Sequence, residues 1–204
     1  MVLLSAAYFP PIEYFAVLAR NSCVRVEACE HYCKQSWRNR CRILTANGPM
    51  DLMVPVEHGP DLFHTLITEV KVDYSTPWLE RTEYALESAY HSSPFFDYYR
   101  DELFALLDTR PRTLWELDME IVRFFCRKTG IAPEILPTED FLPPGEDASD
   151  YRYAIHPKRE NAILEGFGAK REYWQVFREK FGFTPGLSVA DLLFNEGPES
   201  ICWL

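Results

Sequence analysis

With 204 residues, 47% of them hydrophobic and 15% aromatic, the chain can bury a sizeable core as one domain or as one domain with a small appendage, which excludes disorder. Its 31 acids against 21 lysines and arginines give a formal net charge of -10. That balance disfavours bulk nucleic acid and anionic membrane as partners, since both bind a net positive surface, and points to small molecules or proteins. No apolar run approaches the ~20 residues that span a bilayer, and the six cysteines follow a start that lacks a basic leader, so the expectation is a cytoplasmic protein with reduced thiols.

The elements run from strands to helices. Val2 to Ala7 is a short apolar run expected to be buried on both faces, and Pro10-Pro11 opens a helix whose Ile12, Phe15, Ala16 and Ala19 form one stripe. Cys23 to Ala28 reads as a second strand. Trp37 to Leu44 leads into Asn47-Gly48, a pair favoured where both turn residues need positive φ, and Met50 to Val56 returns, so a β-hairpin is predicted. Ile67 to Val72 carries β-branched bulk and reads as the last strand.

Thr76-Pro77 and Ser93-Pro94 pair a capping side chain with proline and predict two helix starts. Thr113 and Glu116 have capping-box spacing, and Leu114, Leu117, Ile121, Phe124 and Phe125 repeat at helical intervals up to Gly130. Leu142 to Asp150 mixes turn formers with acids and reads as an exposed connector; Arg171 to Phe181 and Ser188 to Asn195 read as two shorter helices. The expected fold class is α/β: a mixed or largely parallel N-terminal sheet flanked by helices, with a mainly helical C-terminal half. The expected organisation is an α/β core over 1–141, with strands mainly in 1–75 and helices in 76–130. A connector at 142–150 and a C-terminal helical segment at 151–204 that packs on the core complete it.

Charge is distributed unevenly along this acidic chain. From Cys33 to Arg42 there are four fixed cations, Lys34, Arg38, Arg40 and Arg42, and no acid. On a strand the three arginines share one face at roughly 7 Å spacing, where they repel unless acids or an anionic ligand sit between them. Glu27, Glu30, Asp51 and Glu57 are the candidate acids; phosphate or carboxylate bound in forked geometry is the alternative. Gln35 and Asn39 add neutral hydrogen-bonding groups that can orient a polar ligand, and Trp37 is a stacking surface or a core tryptophan.

Cys29, His31 and Cys33 fall on one face of an extended segment, but Cys29-x3-Cys33 has no matching second half, so no metal site is expected. His31 is a candidate general base, beside which Cys33 could act as a thiolate. A second polar group combines His156, Lys158 and Arg159 with the late turn that carries Glu196 and Glu199. Its acids either cap and solubilise, or hold a carboxylate against a basic pocket. No Gly-x4-Gly-Lys-Ser/Thr, Gly-x-Gly-x-x-Gly, Gly-x-Ser-x-Gly or His-Glu-x-x-His motif occurs, and nothing calls for a cofactor.

Four blocks carry a family resemblance: Ala7-Tyr-Phe-Pro-Pro-Ile-Glu-Tyr-Phe15, His31-Tyr-Cys-Lys-Gln-Ser-Trp-Arg-Asn-Arg40, Leu52-Met-Val-Pro-Val56 and Leu187-Ser-Val-Ala-Asp-Leu-Leu-Phe-Asn-Glu-Gly-Pro-Glu-Ser200. On these the chain resembles the WbqC-like protein family in its Bacteroides-type form, though Ala6-Ala7 stands where other branches carry a glutamine. The resemblance implies O-antigen or other surface-polysaccharide biosynthesis, with transfer of an aminoacyl group such as glycine to an amino sugar of a sugar nucleotide. The substrate-binding set would then be Lys34, Gln35, Trp37, Arg38, Asn39, Arg40, Arg42, His156, Lys158 and Arg159, with His31 or Glu196 as base. An activated amino-acid donor would have to be supplied separately. The other reading is a non-catalytic binding or scaffold protein of the same pathway. The opening strand, turn and helix also resemble nucleotidylyltransferase-type α/β folds, without their His-x-x-His. Tyr98, Tyr99, Tyr173 and Trp174 could build an interface, as in a homo-oligomer, or fill the core.

Overall fold

The computed structural model describes residues 1–59, 61–144, 149–169 and 171–204. Strand β1 (Leu3–Ser5) runs through α1 (Ile12–Ala19) to β2 (Cys23–Glu27), which lies parallel to it. A single 3-10 turn (Trp37–Asn39) leads into an antiparallel hairpin, β3 (Arg40–Thr45) and β4 (Gly48–Met53). Three long helices follow, α2 (Trp78–Tyr90), α3 (Phe96–Asp108) and α4 (Leu114–Thr129). Then β5 (Glu134–Pro137) adds to β2 in parallel, completing a sheet of order β1-β2-β5. The C-terminal part carries α5 (Ile163–Gly166), α6 (Arg178–Phe181), α7 (Val189–Glu196) and a closing 3-10 segment (Gly197–Trp203). This is the expected α/β class, with a largely parallel N-terminal sheet and helices dominating the rest.

Helix α1 is buried on nearly every side, through Ile12, Tyr14, Phe15, Ala16, Val17 and Leu18, as a helix sandwiched within a core must be. Phe9 and Phe15 both meet Phe125 of α4 edge-on, at 5.5 and 6.1 Å between centroids, a geometry in which ring edges face negative ring faces. Phe194 of α7 meets Tyr90 and Phe96 in the same way. The start of α7 is stitched to the first block of the chain by Ile12 N–H to Leu187 C=O (3.2 Å) and Val189 N–H to Pro10 C=O (2.9 Å). Ser188 caps α7 from its side chain while its own N–H reaches the Arg42 carbonyl.

The capping box holds as expected: Thr113 Oγ1 accepts from Glu116 N–H and the Glu116 carboxylate accepts from Thr113 N–H, while Gly130 ends α4 at φ 76°. Several expectations change. The extended run from Trp37 breaks, because Gln35 at φ 58° and the Ser36 cap wind Trp37–Asn39 into a 3-10 turn and the strand starts at Arg40. Ile67 to Val72 forms no strand: its N–H and C=O groups go to scattered partners, Glu30, Arg112 and Leu114, which leaves isolated bridges. The sheet instead takes its third strand from Glu134–Pro137. Of Arg171 to Phe181 only the last turn is helical, since Tyr173 and Gln175 are drawn into hydrogen bonds with Asp191.

The hairpin turns at Ala46-Asn47 rather than Asn47-Gly48, and of these residues only Gly48 has positive φ. Ser93 does not cap α3; its hydroxyl donates to the Tyr90 carbonyl at the end of α2. The middle of the expected connector, 145–148, lies outside the described residues, and its two flanks are held: the Leu142 carbonyl accepts from Arg152, and Asp150 bridges to Leu3.

Candidate functional site

The basic segment is divided by the turn that breaks it. Arg38, only 6% exposed, points inward and grips Glu30 with a fork: Nε donates to Oε1 at 2.8 Å, and a second nitrogen donates both to Oε2 and to Ser5 Oγ. Burial pushes the Glu30 carboxyl up from its ordinary value, against the pull of Arg38. Arg40 and Arg42 do share a face of β3, and Asp51 of β4 sits between them, 2.8 Å from Arg42 Nε and 3.6 Å from an outer nitrogen of Arg40. Arg42 also lies over the Trp37 ring, at 5.8 Å. The three arginines therefore do not form a common ladder.

Arg40 instead contributes to a cleft of about 450 Å³, within the range of small-molecule sites. One wall is the base of the hairpin, Asn39, Arg40 and Met53 to Val56. The second is the loop with Tyr32, Lys34 and Gln35. The third is His58 with the start of α2, namely Thr76, Trp78 and Arg81. Asn39 fixes the first wall, its side chain donating to the Val54 carbonyl at 3.0 Å and its own carbonyl accepting from Val54 N–H. Tyr32 stacks on Phe63, and the Lys34 ammonium lies 4.2 Å from the centre of the same Phe63 ring. Lys34, Arg40 and Arg81 line the cleft, and among the described residues no carboxylate does. A cavity with this lining attracts anions and leaves a ligand's own ammonium group without a partner.

A second, much smaller pocket lies where β1 ends, lined by Ser5, Ala6, Ala7, Tyr14, Trp37, Arg38, Arg152 and His156 among others. It sits at the carboxyl ends of the parallel strands, the usual ligand-binding edge of such sheets. A strap, residues 150–159, crosses it. The strap is anchored by Arg152, buried between Glu27 at 2.8 Å and Asp150 at 2.6 Å, while Thr138 Oγ1 donates to the other Glu27 oxygen. Further along, Lys158 Nζ donates to Gln35 Oε1, joining the strap to the wall of the large cleft. Burial, followed by Arg159, Arg38, Lys158 and Arg40, holds His156 below the ordinary imidazole value, so its ring is neutral at pH 7, and Nδ1 accepts from Lys158 N–H at 3.2 Å.

The residues expected to act together are thus partly gathered. Lys34, Gln35, Asn39 and Arg40 line the large cleft; Trp37, Arg38 and His156 line the small pocket. Lys158 and Arg159 line neither; Lys158 bonds Gln35 at the wall of the large cleft, and both charges reach His156. Arg42 is turned to Asp51. His31 lines neither; it is exposed beside His64, 6.3 Å between rings. Glu196 is also elsewhere, its carboxylate accepting from Trp174 N–H at 2.9 Å. Among the described residues no three His, Cys, Asp or Glu side chains gather into a metal-binding group, and no helix is long and apolar enough to cross a membrane.

Trp78, Arg81 and His58 escaped the reading of the sequence, although Thr76-Pro77 marked the helix start that carries the first two. Asp118 was missed as well. It is fully buried on α4 with neither carboxylate oxygen hydrogen-bonded, and burial pushes it well above the ordinary carboxyl value while Arg38 pulls it down. Its signal was present: an acid four residues after Leu114 and three before Ile121 lies on the apolar stripe of the helix.

Residues 6–170 match the WbqC-like protein family. The chain is also similar to the "Uncharacterized protein Rv1507c" of Mycobacterium tuberculosis, 26% identical over 224 residues that cover 98% of this chain and 95% of that protein. No solved structure matches. The chain belongs to the WbqC-like protein family.

Proposed function

We propose that this WbqC-like protein is a transferase of bacterial surface-polysaccharide biosynthesis that holds an anionic sugar nucleotide in the large cleft. Family membership supports the pathway. The observation that carries the ligand class is the lining of the cleft: fixed cations from three separate walls and, among the described residues, no carboxylate. Two of the four sequence blocks that carry the family resemblance, His31–Arg40 and Leu52–Val56, build two of those three walls. The other two, Ala7–Phe15 and Leu187–Ser200, pair with each other in the core.

The reaction we favour is transfer of an aminoacyl group such as glycine to the amine of an amino sugar, from a donor activated elsewhere. As the amine nitrogen bonds the aminoacyl carbonyl carbon, the bond from that carbon to the donor's leaving group breaks, the leaving group departs with the bonding electrons and the amine loses a proton, so a neutral acceptor group must stand near it. None of the three candidates lines the large cleft; neutral His156 lines the adjoining small pocket beside Lys158, whose Nζ donates to Gln35 on the cleft wall, which brings it nearer to that task than His31 or Glu196. In the non-catalytic alternative the cleft binds the same ligand without turning it over.

Thermal-shift and calorimetric titration with sugar nucleotides test the ligand class, with Arg40→Ala as the control. Stabilisation by a sugar nucleotide that is lost in Arg40→Ala is the expected result. Binding undiminished by Arg40→Ala places the ligand elsewhere and removes the cleft from the reading.

A further inference from the structure

The N-terminus of α2 borders the cleft without a side-chain cap. Its N-cap, Pro77, offers no side-chain acceptor, and the Trp78 backbone N–H turns back to the Thr76 carbonyl at 2.8 Å. The first turn of a helix lacks intrahelical acceptors for its N–H groups and bears partial positive charge. A second, independent observation points the same way. The Trp78 side chain is only 5% exposed, it lines the cleft, and its indole N–H has no acceptor. Buried donors are rarely left unpaired in native proteins, so each one asks for a partner. From the hairpin, Arg40 presents a buried Nε–H that is also unpaired. Arg81 follows Trp78 by three residues, a spacing that puts both on one face of the helix, and it lines the same cleft.

An indole N–H, a guanidinium Nε–H, a second guanidinium and an uncapped helix start outnumber the acceptor positions of an ether or a hydroxyl. A phosphoryl group suits them, because it has several acceptor oxygens, no obligatory donor and negative charge. We propose that Trp78, Arg81 and the first turn of α2, with Arg40 from the hairpin, form a phosphoryl-binding site that seats the phosphate portion of the cleft's ligand. This deepens the sugar-nucleotide reading and rests on the cleft being the binding site. It assigns the phosphates to the α2 side and leaves the Lys34–Gln35 side for the remainder of the molecule.

Isothermal titration of the whole protein with inorganic pyrophosphate and with uridine diphosphate glucose tests it. The variants are Trp78→Phe, which keeps an aromatic ring and deletes only the N–H, and Arg81→Gln. Melting of both variants without ligand, unchanged from the parent, shows that the fold is intact. The expected result is that each variant weakens both probes by about tenfold or more, as loss of a charge-assisted or buried hydrogen bond does. Pyrophosphate binding sensitive to both variants, with no tighter binding of the sugar nucleotide, upholds the phosphoryl site and removes the sugar-nucleotide assignment. Sugar-nucleotide binding of parental affinity in both variants overturns the phosphoryl site and leaves the cleft reading in place. If the parent protein binds neither probe, both fall.

Discussion

Arg38 and Glu30 meet as a forked ion pair sealed inside the protein, with side-chain exposures of 8% and 5%. Eight positions apart, they tie the 3-10 turn before the hairpin to the loop after β2, and Ser5 at the end of β1 accepts a further hydrogen bond from Arg38. Arg38 is thereby a framework residue of the site, and Arg40, two positions on, is the one turned to the cleft.

Removing one member of such a pair leaves the other buried and unpaired, which costs about 3–5 kcal/mol. Arg38→Ala should therefore lower the unfolding free energy by about that amount in urea titration, and Glu30→Gln should cost less, since an amide keeps one acceptor for the guanidinium. Replacing both members together with apolar residues of similar volume should recover much of the loss. An Arg38→Ala variant as stable as the parent protein contradicts the sealed geometry.

Asp191 sets a pH dependence. It is fully buried and accepts from Tyr90 Oη at 2.9 Å and Tyr173 Oη at 2.7 Å, which ties α7 to α2 and to the segment before α6. Burial outweighs these donors and pushes the carboxyl from 3.8 up to about 6. The folded state therefore holds this proton to a higher pH than the unfolded state does. The group's contribution to stability is full below pH 3.8 and declines as pH rises through the window from 3.8 to about 6, by about 3 kcal/mol in all. Above that window it is constant. Unfolding free energies of the parent protein minus those of Asp191→Asn, measured from pH 4 to 7.5 (roughly the span of this titration), should fall with that slope; a flat or rising difference refutes it.

The thiols should divide sharply by reactivity. Cys23, Cys33 and Cys202 are exposed, whereas burial pushes Cys126 up to about 12 and Cys41 further still. Only the thiolate is nucleophilic. With a colorimetric disulfide reagent at pH 8 (about half a unit below an ordinary thiol), Cys23, Cys33 and Cys202 should be modified first. Cys41 and Cys126 should react only after denaturant is added. Modification of Cys41 in the folded protein, found by peptide mapping, contradicts its burial in β3.

Much of the local architecture was legible. The Pro10-Pro11 start of α1, the hairpin and the Thr113–Gly130 helix are written in backbone chemistry that acts within a few residues, so capping, turn and periodicity rules reach them. Strand β5 was not legible: Glu134–Pro137 has no distinctive pattern and becomes a strand by pairing with β2, more than 100 positions away. Ile67 to Val72 shows the converse, strong β propensity with no continuous strand beside it.

Within the candidate site the same division holds. The sequence by itself marked the basic stretch from Lys34 to Arg42 in an acidic chain, and with it the prospect of an anionic ligand. Only the tertiary structure decided that Arg38 goes to Glu30, that Asp51 stands between Arg40 and Arg42, and that Trp78 and Arg81 come to face Arg40. The reason is physical: a charge or a buried donor is satisfied by whichever group lies within about 3 Å of it, and that neighbour is chosen by the packing of remote segments, not by adjacency along the chain.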